Sequence, residues 1–256
     1  MVLHVEQVGP TAAEQPDHRL ILTHGFTQNT RCWGPFATRL AEENEVVMVD
    51  GPGHGKSLHD DADLPAAASL TAAAAGPGIY IGYSMGGRVA IHAALDHPGL
   101  VTGLVLIGAT AGIDRADQRA ARRSADEALA DGLLENGLAA FLDRWLSLPL
   151  FGGLSDEQAA RAERLANRPE GLAASLRNCG TGTQEPRWDE LGRLTMPVLV
   201  VAGEDDRKFT ELGNRLVEAM TGTEAELALV PGTHAVHLER PRPTAELILQ
   251  TIELWD

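Results

Sequence analysis

Six runs of apolar residues recur along the chain, at 18–23, 45–49, 78–82, 101–108, 197–202 and 226–230. Most are continuous rather than alternating, the pattern of parallel strands covered on both faces. Helical segments lie between them, among them 30–42, 87–96 and 209–220. Alternating strands and helices predict an α/β fold, doubly wound around a mostly parallel sheet. The alternation breaks once. Residues 114–187 hold no convincing strand and are rich in Ala, Arg, Glu and Leu, which favour helix. That predicts a helical lid at 114–187, inserted into a core formed by 1–113 and 188–256. The alanine-rich tract 65–75 reads as a short helix or loop, and there is no internal repeat.

The length of 256 residues fits one such domain and its insertion. The net charge of −15 changes the picture more. A surface that acidic repels nucleic acid and anionic membrane, so neither is an expected partner, and arginines near a site become local exceptions to the overall field. The two cysteines, Cys32 and Cys179, have no metal-ligand spacing and read as reduced thiols of a cytoplasmic protein. The first residues have no basic stretch followed by an apolar run, so they do not read as a signal peptide. No window has the roughly 20 apolar residues of a membrane span. No metal or cofactor is expected. The sequence leaves a monomer and a weak homo-oligomer both open.

Residues 79–90 read I-Y-I-G-Y-S-M-G-G-R-V-A. A strand-like run leads into G-x-S-x-G, and small and aliphatic residues follow that can open a helix. A serine lifted onto a sharp strand-to-helix turn needs neighbours without side chains, so Ser84 is a candidate nucleophile or base. Arg88 is the odd residue. In the first turn of a helix it faces the positive end of the helix dipole, which is unfavourable by up to about 1 kcal/mol.

Two further segments carry matching chemistry. Residues 203–206 read G-E-D-D after the fifth run, and 232–237 read G-T-H-A-V-H after the sixth. In an open parallel sheet the loops at the strand ends share one edge, so Ser84, an aspartate and a histidine can meet there. The hydroxyl needs an imidazole to take its proton, and the imidazole needs a carboxylate to fix its tautomer. Leu22-Thr23-His24-Gly25-Phe26 follows the first run and can present the Phe26 amide to the same edge. With the Met85 amide it would form two donors for a developing oxyanion. The glycine-rich stretch 50–57, D-G-P-G-H-G-K-S, lacks the spacing of a phosphate loop and reads as a tight structural loop with His54 inside it.

H-G-F, D-x-P-G-H-G-x-S, G-Y-S-M-G-G, G-E-D-D and H-x-x-H-x-E-x-P, in that order from residue 24 to 241, resemble the α/β-hydrolase superfamily. The resemblance implies that Ser84, Asp206 and His234 form a catalytic triad, with Asp206 preferred to Asp205 and His234 to His237. Thr233 departs from the glycine often found before that histidine. His92 and His97 read as helix-end residues.

Within the superfamily, G-Y-S-M-G-G-R-V-A resembles the 2-succinyl-6-hydroxy-2,4-cyclohexadiene-1-carboxylate synthases, the pyruvate-eliminating lyases of menaquinone biosynthesis. The arginine-bearing stretch 117–126, W-x-x-x-P-x-F at 145–151, Arg164 with Asn167 and 172–176, and G-E-D-D-R-K-F at 203–209 are similar to the same family. The resemblance implies a small polycarboxylate substrate held by Arg88, Arg122 and Arg164, with Tyr83 and Trp145 lining the pocket and excluding water. Arg119 and Arg123 are rivals to Arg122, and Lys208 and Phe209 read as packing residues. Arginine forks suit carboxylates. In that chemistry Ser84 is a base, and the Phe26 and Met85 amides stabilise an enolate. Two alternatives stay open: a carboxylesterase or C–C bond hydrolase for an anionic acyl group, with Ser84 as nucleophile, and a non-catalytic sensor of a carboxylated ligand.

Overall fold

A computed structural model describes residues 2–14, 16–58 and 61–255, so Met1 and Asp256, the outer ends of the expected core, lie outside it. Among the described residues seven strands are present: β1 Val5–Val8, β2 Arg19–Thr23, β3 Glu45–Val49, β4 Gly78–Tyr83, β5 Val101–Ile107, β6 Val198–Gly203 and β7 Ala225–Val230. Ten α-helical segments join them: α1 Gly34–Leu40, α2 Leu64–Ala75, α3 Met85–Asp96, α4 Ala116–Asn136, α5 Leu138–Leu146, α6 Arg161–Arg164, α7 Pro169–Cys179, α8 Arg207–Ala219, α9 Val236–Glu239 and α10 Pro241–Ile252.

The sheet order is β1-β3-β2-β4-β5-β6-β7. All pairs are parallel except β1 with β3. The chain runs outward from β2 to β3, then crosses back over β2 to β4, so helices cover both faces. The ends of β2 and β4 flank the point where the winding reverses, where open α/β sheets bind ligands. The inner strands are apolar on both faces because both faces are buried. Leu20, Leu22, Ile79 and Ile81 pack on one side, and Ile21, Tyr80 and Leu104 on the other. Each fully buried Leu or Ile contributes about 2 kcal/mol.

Two expectations needed correction at the sheet edges. β1 was not foreseen. It is four residues long, and its V-E-Q-V pattern leaves most side chains exposed, which gives little apolar signal. β7, the far edge strand, is only partly buried: Ala225 and Leu227 pack on one face and Ala228 and Val230 on the other, while Glu226 and Leu229 stay exposed. The expected helix 30–42 is shorter. A 3-10 turn at Thr30–Trp33 precedes it, and Gly34, at φ 48°, marks the break between the two as the first residue of α1, followed by Pro35. His97 caps the end of α3, but His92 lies buried mid-helix, its ring facing Arg187 at 3.1 Å.

Between β5 and β6, residues 114–187 carry α4, α5, α6 and α7 and no strand among the described residues. This insertion has a small core of its own, built from Leu133, Phe141, Leu142, Leu172 and Leu176. It is seated on the sheet's edge by the glycine-rich loop. A β-carbon on Gly53 would lie 2.4 Å from the Gly171 carbonyl oxygen, so two backbones touch where any side chain would separate them. Asn167 fastens the same place, accepting from the Gly55 amide at 2.7 Å and donating to the Thr27 carbonyl at 2.7 Å.

Candidate active site

β4 ends at Tyr83, and α3 begins at Met85. Ser84 between them has φ 52° and ψ −107°, a strained conformation for a residue with a side chain. Its amide donates to the Ile107 carbonyl at 2.9 Å, which extends the β4–β5 pairing by one residue and fixes the turn. A β-carbon on Gly86 would lie 1.9 Å from the Thr23 carbonyl oxygen. The start of α3 therefore rests directly on the end of β2, and only glycine lets it.

Asp206 caps α8. One carboxylate oxygen accepts from the Phe209 amide at 3.2 Å, and the other accepts Nδ1–H of His234 at 2.9 Å. That fixes the tautomer in which His234 Nε2 is the acceptor, and Nε2 lies 3.1 Å from Ser84 Oγ. Three loops, after β4, β6 and β7, thus deliver one connected line from carboxylate to imidazole to hydroxyl. Phe209 packs against the His234 ring with centroids 4.3 Å apart. Asp205 is exposed and outside this line. His237 is fully buried among Trp33, Phe36 and Tyr83, with neither ring nitrogen hydrogen-bonded, and burial keeps it neutral, its pKa well below the ordinary histidine value.

The Met85 amide is the first of α3, where helix geometry leaves it no acceptor. The Phe26 amide stands in the turn after β2. Neither donates to a backbone carbonyl in the turns and caps of the described residues. The Phe26 turn is braced from two sides. Gly25 N–H donates to Gln28 Oε1 at 3.0 Å, and the Arg164 guanidinium donates to the Thr27 hydroxyl. Behind it, His24 donates from Nδ1 to the Gly25 carbonyl and accepts the Gly51 amide at Nε2. Burial drops His24 to about 4 and His54 to about 3, so both stay neutral.

These groups open on a cavity of about 150 Å³, some ten times the room one water needs. Ser84, His234, Phe26, Met85, Tyr83, Arg88, Arg122, Trp145 and Arg164 all line it, and Asp206 sits behind His234. Four of the lining residues are cations, Arg88, Arg122, Arg164 and Lys208, and none is a carboxylate. In a chain with 36 acidic and 21 basic residues that segregation is strong.

The cations are held differently. Arg88 is 6% exposed and donates to the Cys179 carbonyl at 2.7 Å and to Gln184 at 3.3 Å. Burial lowers its pKa to about 10, leaving it charged at neutral pH. The unfavourable helix start is thus offset by acceptors from the insertion. Arg164 is 1% exposed and donates to the Ala159 carbonyl at 2.7 Å as well as to Thr27. It meets no carboxylate among the described residues, so it both braces the Phe26 turn and faces the cavity. Arg122 is 40% exposed and paired with Asp126 at 2.8 Å. Its rivals turn elsewhere: Arg119 bonds the Ile113 and Asp114 carbonyls, and Arg123 the Gly182 carbonyl. Trp145 packs edge-on to Phe26 and stacks on Phe141, which closes the apolar side.

The model of the alpha/beta hydrolase family matches residues 20–247. The chain belongs to the alpha/beta hydrolase family. This hydrolase-family chain is 32% identical, over 95% of its length and 92% of the relative's, to a Bacillus subtilis (strain 168) protein provisionally named 2-succinyl-6-hydroxy-2,4-cyclohexadiene-1-carboxylate synthase. It is 31% identical, over 96% and 97% of the two chains, to a pimeloyl-[acyl-carrier protein] methyl ester esterase of Xanthomonas campestris pv. campestris (strain B100). Among solved structures, MenH from S. aureus superimposes with a TM-score of 0.86 at 26% identity, covering 98% of each chain.

Lys208 and Phe209, read as packing residues, do pack, Phe209 against the His234 ring and Lys208 over Phe209, and both also line the cavity. Their place in the turn after Asp206 was the available signal. Ser175 and Thr110 also reach the cavity, and nothing in their local pattern marks them. Thr233, which departs from the glycine the resemblance leads one to expect, joins two regions. Its hydroxyl donates within the Glu239 and Leu150 acceptor pair, linking the His234 loop to the insertion. No helix among the described residues is long and apolar enough to cross a membrane.

Proposed function

We propose that this protein eliminates pyruvate from 2-succinyl-5-enolpyruvyl-6-hydroxy-3-cyclohexene-1-carboxylate to give 2-succinyl-6-hydroxy-2,4-cyclohexadiene-1-carboxylate. The observation that carries the reading is a cavity beside Ser84 and His234 lined by four cations and no carboxylate. A polyanion is the ligand such a lining suits. The Bacillus relative's name points the same way.

Residues 114–187 serve as the lid. Ser84, with its proton drawn toward His234 at 3.1 Å, acts as the base and takes the proton from the ring carbon beside the succinyl ketone. The electron pair moves through the ring, and the carbon–oxygen bond to the enolpyruvyl group breaks. The leaving enolate takes up a proton and becomes pyruvate. The Phe26 and Met85 amides hold the charge that develops on the ketone oxygen. Asp206 keeps His234 in the tautomer this needs. Arg88, Arg122 and Arg164 hold carboxylates, and Tyr83 and Trp145 keep water out. Tyr83 is buried with its pKa pushed above the ordinary tyrosine value, so its hydroxyl stays neutral.

A second reading has one specific support, the esterase among the relatives. The same line of residues would then use Ser84 as a nucleophile toward an anionic ester. A pyruvate-release assay separates the two. The substrate is made in situ by the preceding enzyme and run beside a panel of p-nitrophenyl esters. Pyruvate release far above the spontaneous rate, with feeble ester turnover, is expected. Fast ester turnover without enhanced pyruvate release would assign the protein to the esterases.

A further inference from the structure

The four cations of the cavity differ in what already neutralises them. Arg122 is matched by Asp126 at 2.8 Å. Arg88 and Arg164 meet only carbonyl, amide and hydroxyl oxygens. Lys208 has no carboxylate partner among the described residues, and its ammonium stands 5.2 Å over the Phe209 ring. Its position is unfavourable for a cation. It is the second residue of α8, at the helix end that already carries positive charge, and it follows Arg207, which is paired with Glu211 at 2.9 Å. It nevertheless lines the cavity.

We propose that Lys208 is a specificity-determining residue. With Arg88 and Arg164 it forms a set of three cations that hydrogen-bond no carboxylate among the described residues, matched to a substrate with three carboxylates. The proposal rests on the pyruvate-eliminating reading, whose substrate carries one carboxylate on the ring, one on the succinyl arm and one on the enolpyruvyl ether. The two buried arginines serve the deep carboxylates. Exposed Lys208 serves the one nearest the mouth. Arg122, paired with Asp126 at 2.8 Å, still contacts a substrate carboxylate but adds less net charge to the match. Elimination divides the three carboxylates, two on the ring product and one on pyruvate. Neither product can satisfy all three cations, so the match that favours substrate binding also favours product release. A singly charged ester would gain nothing from Lys208.

The rival role is mechanical, with Lys208 propping Phe209 against His234. Lys208→Met keeps the stem and removes the charge, whereas Lys208→Arg keeps the charge. In pyruvate release, Lys208→Met is expected to raise KM about three- to tenfold while kcat stays within about twofold, and Lys208→Arg to recover most of the loss. An unchanged KM, or a fall in kcat that Lys208→Arg does not repair, would overturn the proposal. A binding measurement needs no turnover. Glutarate, with two carboxylates, and propane-1,2,3-tricarboxylate, with three, are titrated calorimetrically into Ser84→Ala and into Ser84→Ala with Lys208→Met. The third carboxylate is expected to tighten binding in the first background and not in the second. Equal gains in both, or no gain in either, would sink the assignment of Lys208 even if the native protein releases pyruvate. A Lys208-dependent gain in a protein that releases no pyruvate would uphold the three-cation site and overturn the reaction.

Discussion

The two walls of the cavity are built by opposite means. On the sheet side, Asp206, His234 and Ser84 satisfy one another at 2.9 and 3.1 Å, on loops fixed by strand ends. Opposite them, Arg88 of α3 and Arg164 of the insertion are buried with no hydrogen-bonded carboxylate among the described residues. A reacting group can be complete in the resting protein because its partners are its neighbours. A wall meant for an anion has to stay uncompensated until the anion arrives. The resting protein bears that cost as desolvation, visible in the lowered pKa of the Arg88 guanidinium.

The contrast can be broken at four places. Ser84→Ala is expected to cut pyruvate release by about 10³-fold or more while the polyanion still binds, since only the sheet wall is disabled. Activity within about tenfold of the native protein would remove Ser84 from the chemistry. Arg88→Ala comes next. Losing a buried charge-assisted contact should lower kcat/KM by at least about tenfold, with KM raised. Unaltered kinetics would reduce Arg88 to a tether for the Cys179 carbonyl. Arg122→Ala should cost less, about two- to fivefold in kcat/KM, because Asp126 already matches it and it is partly solvated. A loss as large as that of Arg88→Ala would show that the Asp126 pair opens on binding.

The last effect concerns stability. His24 and His54 are held neutral in the fold, with pKa about 4 and about 3, against about 6.5 when unfolded. The unfolded chain therefore binds protons that the folded one refuses. The stability these residues contribute is complete above pH about 6.5 and is lost as pH falls toward 4, at up to about 1.4 kcal/mol per pH unit for each histidine. Urea midpoints should fall steadily between pH 7 and 4.5. A flat profile would mean that this buried pair does not limit acid stability.

The sheet wall was legible in the sequence because its chemistry is local. G-x-S-x-G, G-E-D-D and H-A-V-H each sit directly after a continuous apolar run, and strand ends converge by topology. The preference for His234 over His237 came from the family resemblance; of these two buried histidines, only His234 has both ring nitrogens hydrogen-bonded. The cationic wall, Arg88 of α3 with Arg122 and Arg164 of the insertion, was read by resemblance and charge, which named the residues but not how each is held. The bracing of Arg164 on Thr27 spans 137 positions, and no local pattern encodes it. That Lys208 also faces the cavity is not legible, because a helix-start lysine next to an aromatic residue looks the same in sequence whether or not a cavity lies beside it. β1 escaped because an edge strand with polar faces leaves almost no apolar trace.

The segregation of charge also bears on how a ligand arrives. Outside, a net charge of −15 pushes polyanions away over distances of about 8–10 Å at physiological ionic strength, the reach that dissolved ions leave to any field. Inside, the same ligand meets fixed cations in a site largely shielded from those ions. Added salt therefore pulls in two directions, easing the approach and loosening the grip. Pyruvate release is therefore expected to peak at an intermediate ionic strength, where the surrounding electrolyte hides the exterior but has not yet entered the interior.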